Sequence, residues 1–283
     1  MKEIFIAVPA VSVRDVAIDR IKFLFFAQKT RIFYVPLCRK SVLYMVIRNK
    51  IKEAIDLMPS GVIVTASDFD VPRNYRATLV KALNQFEEAG LLRRISKGRY
   101  YKPGKSRFGE LLPSESEIVK DFLEKDGNVV GYITGTRAFA TLALTTQISS
   151  TIMVGTNVSR RPITRGQYKI TFLLQPNPIR KDDIPYFILL DALRLIKEIP
   201  AATPDESIRQ IIAWVKQLGE TEKSRLVELG KAYKPYVKAQ LGAIMEYLDY
   251  PCEELLQTLN PVSSYKIGIT PSVLPTVKNW NII

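Results

Sequence analysis

The chain contains no histidine. The commonest general base and nitrogen metal ligand is therefore missing, and Ser-His-Asp, Cys-His and His-zinc chemistry are excluded with it. Cysteine is nearly absent as well. Cys38 and Cys252 lie far apart, so there is no disulfide framework and no zinc spacing, and reduced thiols in the cytoplasm are expected. No run reaches the ~18 uninterrupted apolar residues of a membrane helix. The segment "IKFLFFA" (Ile21–Ala27) is short and contains Lys22. It follows Asp15 and Asp19 and leads to no small-residue cleavage site, which fits a secretory signal poorly. Neither GxGxxG nor GxxxxGK[ST] spacing occurs, so "GYITGTR" (Gly131–Arg137) reads as a strand end entering a helix rather than a phosphate loop. No cofactor and no metal ligand set is expected.

Two cation-rich stretches of the front half contain no acid. One runs from Arg20 to Lys52, where cations alternate with aromatics; the other is "GLLRRISKGRYYKP" (Gly90–Pro103). The imbalance is regional. Residues 1–104 carry 19 lysines and arginines against 9 acids, whereas residues 105–283 carry 22 against 19. A basic front half on a nearly neutral back half points to an anionic partner meeting the N-terminal portion, with a solubilising charge bias as the bland alternative.

With 283 residues the chain has room for two domains. Residues 1–44 stand apart, either as a basic arm or as sequence preceding a true start at Met45. Ile47, Ile51, Ala54, Ile55 and Met58 then fall on one helical face. "PSG" ends that helix, "VIVT" (Val62–Thr65) is a short strand, and "ASDFD" (Ala66–Asp70) a short turn-like helix. A longer helix begins with Asp70 as cap and Pro72 in its first turn, and stops at Gly90. The strands "LLRRI" and "RYYKP" follow, turned at Ser96–Gly98. That order over residues 45–103 is a winged helix-turn-helix.

"KPGKSRFGELLPSE" (Lys102–Glu115) reads as a linker. Residues 104–183 are expected to be mixed α/β, with strands at "NVVGYITG", "STIMVGT" and "YKITFLLQ", and residues 184–283 mostly helical. The fold class is therefore α+β.

On the long helix, Tyr75, Leu79, Ala82, Leu83 and Phe86 form the packing face, and Asn74, Ala77, Lys81 and Asn84 the opposite one, edged by Arg73 and Thr78. Arg or Lys pairs with guanine and Asn with adenine, so Arg73, Asn74, Thr78 and Lys81 suit base contact. Arg93, Arg94, Lys97, Arg99 and Lys102 of the hairpin suit phosphates. A polar outer face on an ordinary amphipathic helix is the competing account. A second cluster, Arg160, Arg161 and Arg165, is either a solvated loop or a second nucleic-acid contact. The adjacent acids Asp182–Asp183 and Glu253–Glu254 diverge in regular structure and make poor dyads.

Gly61–Pro103, "GYITGTRAFATLALTTQISSTIMVGTN", "QLGAIMEYL" and "LNPVSSYKIGI" together resemble the AbiE-type abortive-infection antitoxins of type IV toxin–antitoxin systems. The resemblance spans Met45 to Ile283 and leaves the front arm uncovered. It implies a winged helix-turn-helix that represses its own promoter at inverted repeats in double-stranded DNA. It also implies a C-terminal domain, residues 104–283, that counteracts a nucleotidyltransferase-like toxin without a stable complex. The protein is then no enzyme and touches no membrane. The alternatives are a stand-alone regulator whose back domain senses a ligand or dimerises, and an enzyme acting on nucleic acid. The absence of histidine and of an acidic metal motif argues against the last.

Overall fold

In the computed structural model, which describes residues 39–283, the chain divides into two compact units between Glu117 and Ile118. Most of the proposed arm, residues 1–38, lies outside the described residues. The fold is α+β: helices with small sheets, then a central four-stranded sheet, then a helical region.

In the first unit, α1 (Arg39–Leu57) begins ahead of Met45 rather than just after it. Ile47, Ile51 and Ile55 recur every fourth residue and are buried, as the periodicity requires. Gly61, at φ +84°, turns the chain into β1 (Ile63–Thr65). Residues 66–70 form no helix. The Asp68 carboxylate accepts from the Thr65 amide at 2.6 Å and the Thr65 hydroxyl at 2.9 Å, closing a local turn in competition with helical hydrogen bonding. A 3-10 turn, Arg73–Tyr75, leads into α2 (Arg76–Glu88). Asp70 does not cap it; Pro72 is extended at φ −54°, ψ 146° and starts the turn after Asp70 has passed. Gly90, at φ +76°, ends α2 as expected.

Strands β2 (Arg93–Ser96) and β3 (Arg99–Tyr101) form the wing, turned at Gly98 with φ +72°, and the sheet order is β1-β3-β2. The register steps between Arg94↔Tyr100 and Ser96↔Arg99, leaving Ile95 as a bulged, buried residue. Helix, strand, turn, helix and hairpin thus assemble as a winged helix whose middle helix is reduced to turns. The core is Ile47, Ile51, Ile55, Val64, Leu79, Ala82, Leu83, Phe86, Leu92 and Tyr100. The segment expected to be a linker instead folds as a second hairpin, β4 (Gly104–Ser106) and β5 (Gly109–Leu111). Its reversal is fixed by Ser106, whose hydroxyl donates to the Gly109 carbonyl and accepts from the Phe108 amide, and by Gly109 at φ +119°. The expected domain boundary at residues 103–104 falls inside this unit.

The unit boundary falls within α3 (Glu115–Leu123), whose Glu117 amide donates to the Ser114 hydroxyl as an N-cap. The second unit contains the short hairpin β6 (Glu124–Lys125) and β7 (Asn128–Val129), then β8 (Gly131–Thr134) and α4 (Thr136–Thr141). Strands β9 (Thr151–Thr156), β10 (Ile163–Arg165) and β11 (Tyr168–Leu174) complete a sheet of order β10-β11-β9-β8, with β9 and β11 parallel. The helices are α5 (Ile184–Arg194), α6 (Pro204–Gln217), α7 (Glu220–Gly230), α8 (Pro235–Tyr247) and α9 (Glu253–Leu256). A Thr203–Glu206 capping box starts α6. Trp280 is buried against Gly242 of α8, where a Cβ would come within 2.1 Å of its ring. Among the described residues no helix is long and apolar enough to cross a membrane.

One polar cluster lies inside this second core. Asp191 of α5 has no exposed surface and accepts from the Tyr132 hydroxyl at 2.8 Å, the Thr134 hydroxyl at 2.9 Å and the Tyr233 hydroxyl at 3.2 Å. The Gln175 amide donates to both tyrosine oxygens, at 2.7 and 2.6 Å. Burial pushes the Asp191 carboxyl up to about 6, against the pull of those hydroxyl donors.

Candidate nucleic-acid interface

The first unit's basic face is built on α2 and the wing. Leu79, Ala82, Leu83 and Phe86 bury one side of α2. Arg73, Asn74, Arg76, Ala77, Val80 and Lys81 are exposed, while Thr78 is half-buried at the edge. Arg76 is the addition here; it follows Arg73 by three residues and shares its face, so extending the helical wheel past the expected residues finds it. No side chain caps the start of α2 or of the 3-10 turn before it. The unpaired amides and positive dipole end of a helix favour anions. The cations and Asn74 are gathered at this end, and Glu87 and Glu88 at the other.

Lys81 is exposed, with its ammonium 5.6 Å from the centroid of the Tyr44 ring. The Tyr44 hydroxyl in turn donates to the Gln85 side chain, so an α1 aromatic steadies the Lys81 stem.

The wing cations divide into two groups. Lys97 sits exposed at the turn beside Gly98, and Arg99 is half-buried at the start of β3 with an interaction of its own. The others are engaged within the unit. Arg93 makes a two-pronged pair with Glu110 of the second hairpin, at 2.8 and 2.7 Å, which holds the Glu110 carboxyl below the usual carboxylate range. Arg94 reaches Asn84 at 2.8 Å and Glu87 at 2.6 Å and lies over the Tyr100 ring, 5.2 Å from its centroid. The Lys102 ammonium donates to the carbonyls of Ile55, Asp56 and Met58 at 3.1, 2.8 and 3.1 Å. It caps the C-terminus of α1, where orphan carbonyls and the negative dipole end attract a cation, and this takes it out of the phosphate-contact set.

The second unit separates its cluster similarly. Arg165, expected at a nucleic-acid contact, is only 5% exposed. It pairs with both oxygens of Asp121, at 2.6 and 2.8 Å, donates to the Ile118 carbonyl and lies over the Phe122 ring. It is a structural residue that ties β10 to α3. Arg160 and Arg161 remain exposed, Arg160 with its guanidinium over Phe122 at 5.3 Å. The acids behave as expected of non-dyads. Asp183 pairs with Arg225 at 2.8 and 2.7 Å, and Glu254 with Lys231. In "GYITG", Gly131 lies where a Cβ would strike the Phe122 carbonyl, and Gly135 adopts φ +71° at the entry to α4.

Among solved structures, the RV2827C protein from Mycobacterium tuberculosis is similar to this chain, at 14% sequence identity over 76% of this chain and 82% of that one, with a TM-score of 0.41. No curated protein matches it. Residues 50–226, running from α1 of the winged helix into α7, match the Family of unknown function (DUF6088), and the chain belongs to that family.

Proposed function

We propose that this protein is the DNA-binding antitoxin of a type IV toxin–antitoxin system. In this account the winged helix binds inverted repeats in the operon's own promoter and represses it. The second unit serves to counteract a nucleotidyltransferase-like toxin without forming a stable complex, and the protein catalyses no reaction. The DNA-binding part rests chiefly on one observation, the start of α2 and the turn before it, where Arg73, Asn74, Arg76 and Lys81 are each exposed and no acid lies between Arg73 and Lys81. Arginine and lysine at the N-terminal half of such a helix suit guanine edges, and asparagine suits adenine. Lys97, at the tip of the wing, suits an adjoining phosphate. The antitoxin part rests on the resemblance of "GYITGTRAFATLALTTQ" and "LNPVSSYKIGI" to AbiE-type antitoxins.

The test has two arms. In a mobility-shift assay on the duplex upstream of the gene, the full chain should bind in preference to an unrelated duplex. Co-expressed with the product of the adjoining reading frame, it should relieve growth arrest. Binding without relief would replace the antitoxin with a stand-alone regulator; relief without binding would remove the repressor.

A further inference from the structure

Arg94 stands in the most basic segment of the chain, and its charge suggests a phosphate contact. Its surroundings assign it otherwise. The guanidinium reaches across to α2, donating to the Asn84 side-chain oxygen at 2.8 Å and pairing with Glu87 at 2.6 Å. The Tyr100 hydroxyl, on the paired strand β3, donates to the same Asn84 oxygen at 2.6 Å. Arg94 and Tyr100 are cross-strand partners in the wing, immediately before the register step at Ile95. Four side chains from α2, β2 and β3 thus converge on one knot.

We propose that Arg94 is a positioning residue: with Asn84, Glu87 and Tyr100 it braces the wing against α2 and sets the angle at which both meet a duplex. This rests on the DNA-binding function proposed above. Three features carry it. Turning Arg94 towards a phosphate would break a charge-assisted pair and leave Glu87 unneutralised near a polyanion, so the contact opposes itself electrostatically. Tyr100 is 3% exposed, so its hydroxyl serves the interior. The shared Asn84 oxygen already accepts two hydrogen bonds, which leaves only the amide N–H groups of Asn84 for an outside partner. Asn84 therefore cannot make the two-point adenine contact, which needs donor and acceptor together. Base reading falls to Arg73, Asn74, Arg76 and Lys81, and phosphate contact at the wing tip to Lys97.

The salt dependence of binding separates a brace from a phosphate contact, because each neutralised phosphate contributes about 0.9 to the slope of log K against log salt. The probe is the upstream duplex, titrated with full-length protein and footprinted. Lys97→Ala should lower the slope by about 1. Arg94→Ala should weaken binding roughly tenfold at fixed salt with its slope unchanged, a deficit of about one power of ten in affinity. Protection should disappear at the wing's part of the site and persist under α2, which a general loss of folded protein would not produce. The charge swap Glu87→Arg with Arg94→Glu should restore most of the affinity, and Tyr100→Phe should repeat the Arg94→Ala footprint without touching DNA. A slope lowered by about 1 in Arg94→Ala, or wild-type binding in both Arg94→Ala and Tyr100→Phe, overturns the brace and leaves DNA binding standing. If the swap variant does not fold, the Tyr100→Phe footprint decides alone. If the wild-type chain binds no duplex, the DNA-binding function falls, and the brace with it.

Discussion

Asp191 offers the sharpest test of the second unit's interior. It is a carboxylate with no exposed surface and no cationic partner bonded to it, held by three hydroxyl donors. Burial disfavours its charged form more than those hydrogen bonds favour it, so its folded pKa rises from the ordinary 3.8 to about 6. Because the folded state then binds a proton more tightly than the unfolded state, this group's contribution to stability is fully present below about pH 4. It is lost as pH rises through about 6. The whole swing is on the order of 3 kcal/mol, of which on the order of 1 kcal/mol falls between roughly pH 7 and pH 5. Both tryptophans, Trp214 and Trp280, belong to this unit, so urea unfolding followed by tryptophan fluorescence reports on it directly. Paired carboxylates such as Asp183 titrate in the opposite sense, since Arg225 holds Asp183 below its usual range. The informative quantity is therefore the difference between the wild-type chain and Asp191→Asn. The wild type should gain on the order of 1 kcal/mol on the variant as pH falls from about 7 to about 5. Parallel pH profiles would refute the argument that this carboxyl is a buried, titrating acid.

Two further substitutions separate structural cations from DNA-facing ones. Arg165→Met should lower stability by about 2–4 kcal/mol, because it removes a buried guanidinium that pairs with Asp121 and donates to the Ile118 carbonyl, while leaving duplex affinity unchanged; urea midpoints and mobility shifts measure the two effects. Lys102→Ala should cost about 1–2 kcal/mol of first-unit stability through the lost cap on α1, with no change in the salt slope of DNA binding, as followed by circular dichroism and a salt titration.

What could be read from residue order was what local chemistry controls. The fourfold spacing of Ile47, Ile51 and Ile55 marks a helix face, Gly90 and Gly98 mark a helix end and a turn, and both glycines take positive φ in the fold. The hairpin β4–β5 was hidden because Lys-Pro-Gly-Lys-Ser is loop chemistry, and its strands carry no alternating apolar face. Strand β10 was hidden by its length of three residues. For the charged residues, residue order is silent for a different reason. Arg165 finds Asp121 44 residues earlier in the chain, Arg93 finds Glu110, and Lys102 finds carbonyls of α1. A run of cations shows how much charge is present; which of it is spent internally is decided by partners that only tertiary structure brings near. Arg76, by contrast, is legible in the sequence, three residues after Arg73 and exposed like it.

The central claim is that the exposed end of α2 reads base pairs. The most direct measurement compares Asn74→Ala and Lys81→Ala with the wild-type chain on the upstream duplex and on duplexes altered one base pair at a time. Loss of about 1–3 kcal/mol of discrimination at particular base pairs, with binding to unrelated DNA little changed, is the result expected. Equal weakening on every duplex, or no change on any, would contradict it.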